Sequence, residues 1–203
     1  MARVGILGGT FNPPHIGHLV MADEARSQLA LDRVLFMPVN TPPHKEPAED
    51  PGPELRLALC ELAVEGHPGL AVSALETERP GTSYTVDTLR EINASTPGDE
   101  LTFIVGGDMA FSLPSWREPE QVLALATLAV AERDGVARQD IASHLSSLDP
   151  EAERIRFFDM PRLDISSSLI RRRVAGGRSI RHLVPEPVAD AIAARGLYAG
   201  VQT

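Results

Sequence analysis

The chain has 203 residues, of which 43% are hydrophobic and 23% charged, and its formal net charge is −9. That length suits one sizeable domain of ordinary globular composition, and an acidic balance argues against a broad nucleic-acid-binding face, which needs an excess of Lys and Arg. Apolar runs all fall short of the roughly 18–20 residues that cross a bilayer, and the opening "RVGILGG" meets glycines before it can form the apolar core of a signal peptide.

In chain order, strands are predicted over 3–7, 33–39, 70–75, 101–105, 127–131 and 155–160. Several of these are near-continuous apolar runs, the pattern of strands covered on both faces. Helices are predicted between them and beyond, over 17–30, 53–65, 84–94, 118–125, 137–147, 166–175 and 186–195. The second opens on Pro53, which is well suited to a first helical turn. Residues 38–54, 79–83 and 108–119 read as loops. This alternation predicts an α/β fold: a Rossmann-like, doubly wound, mostly parallel sheet with helices on both faces. A single domain over 1–203 is expected, with the helical segment from about 166 to 203 completing the ligand site. Cys60, the only cysteine, lies in "LRLALCELAV" as a small core residue; a lone thiol excludes an intrachain disulfide and fits a reducing cytoplasm.

Chemistry concentrates first in "GGTFNPPHIGH", residues 8–18. Gly8 and Gly9 follow the first strand, where glycine opens backbone conformations closed to other residues and lets a ligand approach. Pro13 and Pro14 hold the chain extended and delay the helix to about Ile16–Gly17, so His18 falls in its first turn. Unpaired N–H groups and the positive dipole end make that turn a phosphate site. Thr10, His15 and His18 add side-chain donors. The glycines, at 5, 8, 9 and 17, do not form G-x-G-x-x-G, and G-x-x-x-x-G-K-[ST] is also missing.

The arrangement resembles the signature of the nucleotidyltransferase superfamily that carries an HxGH motif. In that superfamily both imidazoles serve the phosphates of a nucleoside triphosphate, and a distal "ISSTxIR"-type segment completes the site. Here the counterpart is "ISSSLIRRR" at 165–173, where Ser168 stands in place of threonine and keeps the hydroxyl. Serines at 166–168 suit a helix N-cap, and Arg171, three residues after Ser168, shares its face. Asn12 stands where many relatives have aspartate.

Four further segments, "PVNTPPHK" (38–45), "ERPGTSYTVDTL" (78–89), "FIVGGDMAFSLPSW" (103–116) and "RSIRHLVPEPVADAI" (178–192), are similar to bacterial nicotinate-nucleotide adenylyltransferases. The resemblance spans nearly the whole chain. It implies transfer of the AMP part of ATP to nicotinate mononucleotide, giving deamido-NAD and pyrophosphate. The implied ATP site comprises Gly8, Gly9, Thr10, Phe11, His15, His18, Gly106, Asp108, Ile165, Ser167, Ser168 and Arg171. Of these Thr10, His15 and His18 are expected to be catalytic: Thr10 and His18 at the α-phosphoryl group, and His15 at the β/γ end with Ser167, Ser168 and Arg171. The implied acceptor site comprises Asn40, Lys45, Tyr84, Thr85, Trp116 and Arg133.

The acceptor residues are chemically apt. Trp116, the only tryptophan, can stack on an electron-poor pyridinium, and "SYT" at 83–85 offers backbone N–H groups at a helix start for a ring carboxylate. A phosphate monoester is largely dianionic at pH 7, so the acceptor needs no general base and the protein no nucleophile. In-line positioning and neutralisation of charge carry the reaction. Mg²⁺ is expected as cofactor, held mainly by ATP, with no protein metal site. The expected partners are ATP and nicotinate mononucleotide, with no nucleic acid and no membrane; the oligomeric state, a homodimer included, stays open. Nicotinamide mononucleotide or phosphopantetheine as acceptor, and a non-catalytic nucleotide-binding module, are the alternatives.

Overall fold

The computed structural model describes residues 1–42, 49–132 and 138–200. Its centre is a six-stranded sheet of β1 (Arg3–Gly9), β2 (Arg33–Pro38), β3 (Leu70–Val72), β4 (Glu100–Gly106), β5 (Thr127–Glu132) and β6 (Ile155–Asp159). The strands are ordered β3-β2-β1-β4-β5-β6, and every pairing is parallel. The helices are α1 (Ile16–Gln28), α2 (Pro53–Val64), α3 (Leu75–Glu78), α4 (Thr85–Ser95), α5 (Gly107–Phe111), α6 (Pro119–Leu125), α7 (Arg138–His144), α8 (Ser167–Ala175) and α9 (Glu186–Ala194), with a 3₁₀ turn over Leu113–Ser115.

Successive strand residues point to opposite faces, and both faces are covered. Ile6, Phe103, Val105, Leu128 and Val130 pack with α4, α6 and α7 residues such as Val86, Leu89, Val122 and Ile141 on one face. Leu7, Phe36, Ile104, Ala129 and Phe158 pack with Leu19, Ala22 and Ala25 of α1 and Cys60 of α2 on the other. This two-sided burial is why the strands read as unbroken apolar runs. Cys60 is fully buried, and its desolvation pushes the thiol far above its ordinary range. A third apolar cluster joins Leu59 and Ala63 of α2 to Ile170, Val188, Ile192 and Tyr198, fixing the C-terminal segment against the domain face that carries α2.

Two stretches differ from the sequence expectation. The strand predicted over 70–75 ends at Val72 and gives way to α3, and the loop predicted over 108–119 contains most of α5 and the 3₁₀ turn. All three elements are about one turn long, too short for helical periodicity to register in sequence. The sheet reverses its winding between β1 and β4, so the loops leaving their carboxyl ends diverge and open a crevice. Among the described residues no helix is long and apolar enough to cross a membrane.

Candidate active site

The first wall of the crevice is the chain from Gly8 to His18. Neither Gly8 nor Gly9 has positive φ; the residue of this stretch in the left-handed region is Phe11, at φ 50°. The glycines answer a demand for space instead. A Cβ on Gly8 would stand 3.0 Å from the Phe103 ring, and one on Gly9 would stand 3.2 Å from the Phe11 ring. The Asn12–Pro13 peptide is cis, and the chain enters α1 with His15 as N-cap.

The two imidazoles stack, with centroids 3.6 Å apart and an interplanar angle of 19°. His18 reaches back so that its Nδ1 accepts the His15 backbone N–H at 3.1 Å. In a neutral imidazole this bond places the proton on Nε2, which is then a donor. The Phe11 ring meets His18 edge-on at 4.9 Å, and His15 is almost wholly buried. Gly17 is part of the same construction: a Cβ there would lie 3.1 Å from His15 Nδ1 and 3.2 Å from its Cε1. The glycine between the histidines therefore lets the His15 ring lie against the helix backbone.

The second wall is the C-terminal segment. Ser166 caps α8, its Oγ accepting the Leu169 N–H at 3.1 Å. Ser167 Oγ donates to the Pro13 carbonyl at 2.8 Å, and Arg171 donates to the Asn12 carbonyl at 2.7 Å. Arg171 also approaches Ser168 Oγ at 3.4 Å. The Tyr198 hydroxyl donates to Asn12 Oδ1 at 2.7 Å, and the Ile16 N–H donates to the Leu183 carbonyl at 3.0 Å. Residues more than 150 positions apart are thus brought to one loop. Ile165 packs half-buried beside them against the third cluster.

Arg56 organises the floor. Fully buried, it pairs with Asp50 at 2.9 Å and donates to the carbonyls of Thr10 (3.0 Å), Val39 (2.7 Å) and Asn40 (2.8 Å). One guanidinium therefore holds the exits of β1 and β2 in register. A fully buried charge is tolerable because each of its three nitrogens donates to an acceptor. Gly106 caps α5, and Asp108 lies exposed in its first turn, at the carboxyl end of β4 next to β1.

Beside the Gly8–His18 loop lies a cavity of about 630 Å³, lined by Gly8, Gly9, Thr10, Ser83, Tyr84, Thr85, Phe103, Trp116 and Arg117 among others. Trp116 stands edge-on to Phe103 with centroids 5.9 Å apart, and its indole N–H donates to Ser112 Oγ at 2.9 Å. Tyr84 is the N-cap residue of α4, so the first N–H groups of that helix begin at Thr85; the Arg117 guanidinium lies 4.9 Å from the Tyr84 ring centre. Asn40 is engaged within the protein, its amide donating to the Thr77 carbonyl at 2.8 Å and its N–H meeting Ser83 Oγ at 3.2 Å. Lys45 and Arg133 lie outside the described residues.

A cytidylyltransferase-like family model matches residues 6–173. The chain is 42% identical over 198 residues to a Geobacillus thermodenitrificans protein curated as "Probable nicotinate-nucleotide adenylyltransferase", covering 98% of this chain and 87% of that protein. A Thermomicrobium roseum protein of the same curated name is 41% identical over 202 residues, covering all of this chain and 94% of its own. The chain belongs to the nicotinate-nucleotide adenylyltransferase family. In fold it matches a nicotinic acid mononucleotide adenylyltransferase of Plasmodium falciparum, solved in complex with APC and with NaAD. The TM-score is 0.78 at 17% identity, with 98% of each chain covered.

Arg56, Tyr198 and Glu76 were absent from the expected site. Arg56 could have been noticed as a charge on the apolar face of "PELRLALCELAV", three and four residues before the buried Leu59 and Cys60. Tyr198 carries no local signal, because its partner Asn12 is 186 positions away, and Glu76 bonds Thr88 of the following helix, twelve positions on and past the reach of helical periodicity.

Proposed function

We infer that this chain transfers the adenylyl group of ATP to nicotinate mononucleotide, releasing pyrophosphate and forming deamido-NAD, a step of NAD biosynthesis carried out in the cytoplasm. The observation that carries the reading is the junction of two features at one crevice. A stacked His15–His18 pair sits at the start of α1, and an aromatic-walled cavity with Trp116 and the α4 N-terminus opens beside it.

In this reading the triphosphate lies along the α1 start, with Thr10 and the His18 Nε2–H at the α-phosphoryl oxygens. His15, Ser167, Ser168 and Arg171 meet the β/γ end. The bonds of Ser167 and Arg171 to the Pro13 and Asn12 carbonyls support this assignment. Arg171 retains further N–H groups for an anion. Gly8, Gly9, Phe11, Gly106, Asp108 and Ile165 frame the nucleoside, Asp108 facing its ribose hydroxyls. The single domain closes its ATP site with the segment from about 166 onward.

The acceptor ring stacks on Trp116, its carboxylate meets the N–H groups at Tyr84–Thr85, and Asn40, Lys45 and Arg133 serve the mononucleotide end. Its phosphate, already dianionic, attacks the α-phosphorus directly, and no covalent enzyme intermediate forms. The fixed donors stabilise charge as it grows on the transferring group and the leaving pyrophosphate. Among the described residues no group of three or more His, Cys, Asp or Glu stands together to hold a metal ion. The donor set fits Mg²⁺ carried on the triphosphate oxygens, where it would neutralise phosphate charge.

The test is pyrophosphate release from ATP with nicotinate mononucleotide, nicotinamide mononucleotide and phosphopantetheine offered in turn. Release that is fastest with nicotinate mononucleotide is expected. Equal or faster release with either other acceptor, or silence with all three, refutes the reading.

A further inference from the structure

Glu76 lines the acceptor cavity, yet a carboxylate is the wrong charge for a cavity that is to receive a carboxylate-bearing ring. It is 4% exposed. Oε1 accepts the Thr88 hydroxyl at 2.5 Å, while Oε2 is buried with no hydrogen-bond partner among the described residues. Thr88 in turn accepts from Arg79 at 2.7 Å, and Arg79 is paired with Glu91 at 3.0 Å. Among the described residues, the cation that acts on Glu76, Arg79, is therefore already matched by another carboxylate.

Charges on the neighbouring elements do not change this balance. On α4, Asp87 pairs with Arg117 and Arg90. Arg117, which lines the same cavity, also approaches Glu118. α2, packed on α3, carries Glu54, Arg56 and Glu61, and Arg56 is already paired with Asp50. Asn40, from the end of β2, is neutral. Burial raises the Glu76 carboxyl above its ordinary value, opposed by the Thr88 hydroxyl, then Arg79, then Ser83, which lies near without meeting hydrogen-bond geometry.

Two carboxylates confined in one desolvated site cannot both stay ionised cheaply, and the pair shares a proton. We propose that binding of the acceptor's ring carboxylate at the α4 N-terminus draws one proton from solvent onto Glu76, so that Glu76 makes the discrimination between a carboxylate and an amide acceptor pH-dependent. The proposal rests on the acceptor site assigned above. The neutral acid removes the opposing charge, and an amide acceptor has no charge to oppose. Selectivity for the acid form therefore declines as pH rises, because the proton becomes costlier to recruit, by at most about tenfold per pH unit for one linked proton.

The test is calorimetric titration of the full chain, saturated with a non-hydrolysable ATP analogue, from pH 7 to 8.5 in buffers of different ionisation enthalpy. Nicotinate mononucleotide and nicotinamide mononucleotide are compared, so protons exchanged by their common phosphate cancel. The expected result is uptake of up to one more proton with the acid than with the amide, and an acid-to-amide affinity ratio that falls with pH. In Glu76→Gln, whose amide can still accept from Thr88, the proton difference vanishes and the affinity ratio becomes flat with pH. Equal proton numbers for both ligands in the unmodified protein overturn the proposal without any variant, and so does a difference that survives in Glu76→Gln. Absence of binding by both ligands overturns the acceptor assignment itself, and the proposal with it.

Discussion

Gly17→Ala separates site geometry from fold stability. The new Cβ would stand 3.1 Å from His15 Nδ1 and 3.2 Å from Cε1, and, its chain neighbours and the backbone of its own helix aside, no other atom of the described residues lies within 4 Å of it. Contacts this short require the neighbour to yield by a few tenths of an ångström. His15 is 4% exposed and stacked on His18 at 3.6 Å, so its displacement passes to the second imidazole. A misplacement of about 1 Å can cost roughly 10²-fold in rate, so a shift of a few tenths is expected to lower kcat by about tenfold. Alanine also favours the helix over glycine by about 0.5–1 kcal/mol, which offsets the local crowding. Tm should therefore stay within about 2–3 °C of the parent, on the scale by which 1 kcal/mol moves a domain of this size. The assay is steady-state pyrophosphate release beside differential scanning calorimetry. Unchanged turnover, or a loss of turnover that tracks a large fall in Tm, would refute the argument that Gly17 exists to seat the His15 ring.

Arg56→Met removes a fully buried guanidinium and strands Asp50 with three carbonyls, so a loss of about 3–5 kcal/mol is expected by chemical denaturation; a loss below about 1 kcal/mol would contradict its assigned place in the floor. His18→Ala should lower kcat by about 10²-fold or more while changing the ATP KM little, because a preorganised donor acts mainly on developing charge. Near-parental turnover in that variant removes His18 from the chemistry. Trp116→Ala should raise the KM for nicotinate mononucleotide about tenfold, as loss of one stacked aromatic wall implies, and leave that for ATP nearly unchanged; equal effects on both would count against the acceptor cavity.

What was legible in the sequence follows from range. The six strands and the longer helices announce themselves through apolar runs and caps that act within a few residues, and the α1 start was placed by Pro13, Pro14 and the histidines. Of the two reasons the sequence offers for Gly8 and Gly9, a special backbone conformation is not used, since neither has positive φ, while close approach of a ligand belongs to the proposed site. Conformational freedom is a local property that sequence suggests, whereas the Phe103 and Phe11 rings that crowd Gly8 and Gly9 are visible only after folding. Ser167 and Arg171 were expected at the phosphates, and their present bonds to the Pro13 and Asn12 carbonyls show the second task of latching the C-terminal segment to the first loop. Arg56 and Tyr198 perform related work across 46 and 186 positions, a separation at which periodicity and capping carry no information. Asn12, which stood out as a departure from aspartate, gains a physical account: its Oδ1 accepts from Tyr198 while its amide lies 3.4 Å from the Glu49 carbonyl. Aspartate could keep the first contact and would lose the second.

The central claim, direct adenylyl transfer from ATP to nicotinate mononucleotide, is tested most directly by the stereochemical course at the α-phosphorus. ATP made chiral there by sulfur substitution is incubated with nicotinate mononucleotide and the chain, and the configuration of the dinucleotide product is determined. A single in-line displacement predicts deamido-NAD with inverted configuration. Retention would reveal a covalent adenylyl-enzyme, and failure to form the dinucleotide with unsubstituted ATP would contradict the assigned reaction itself.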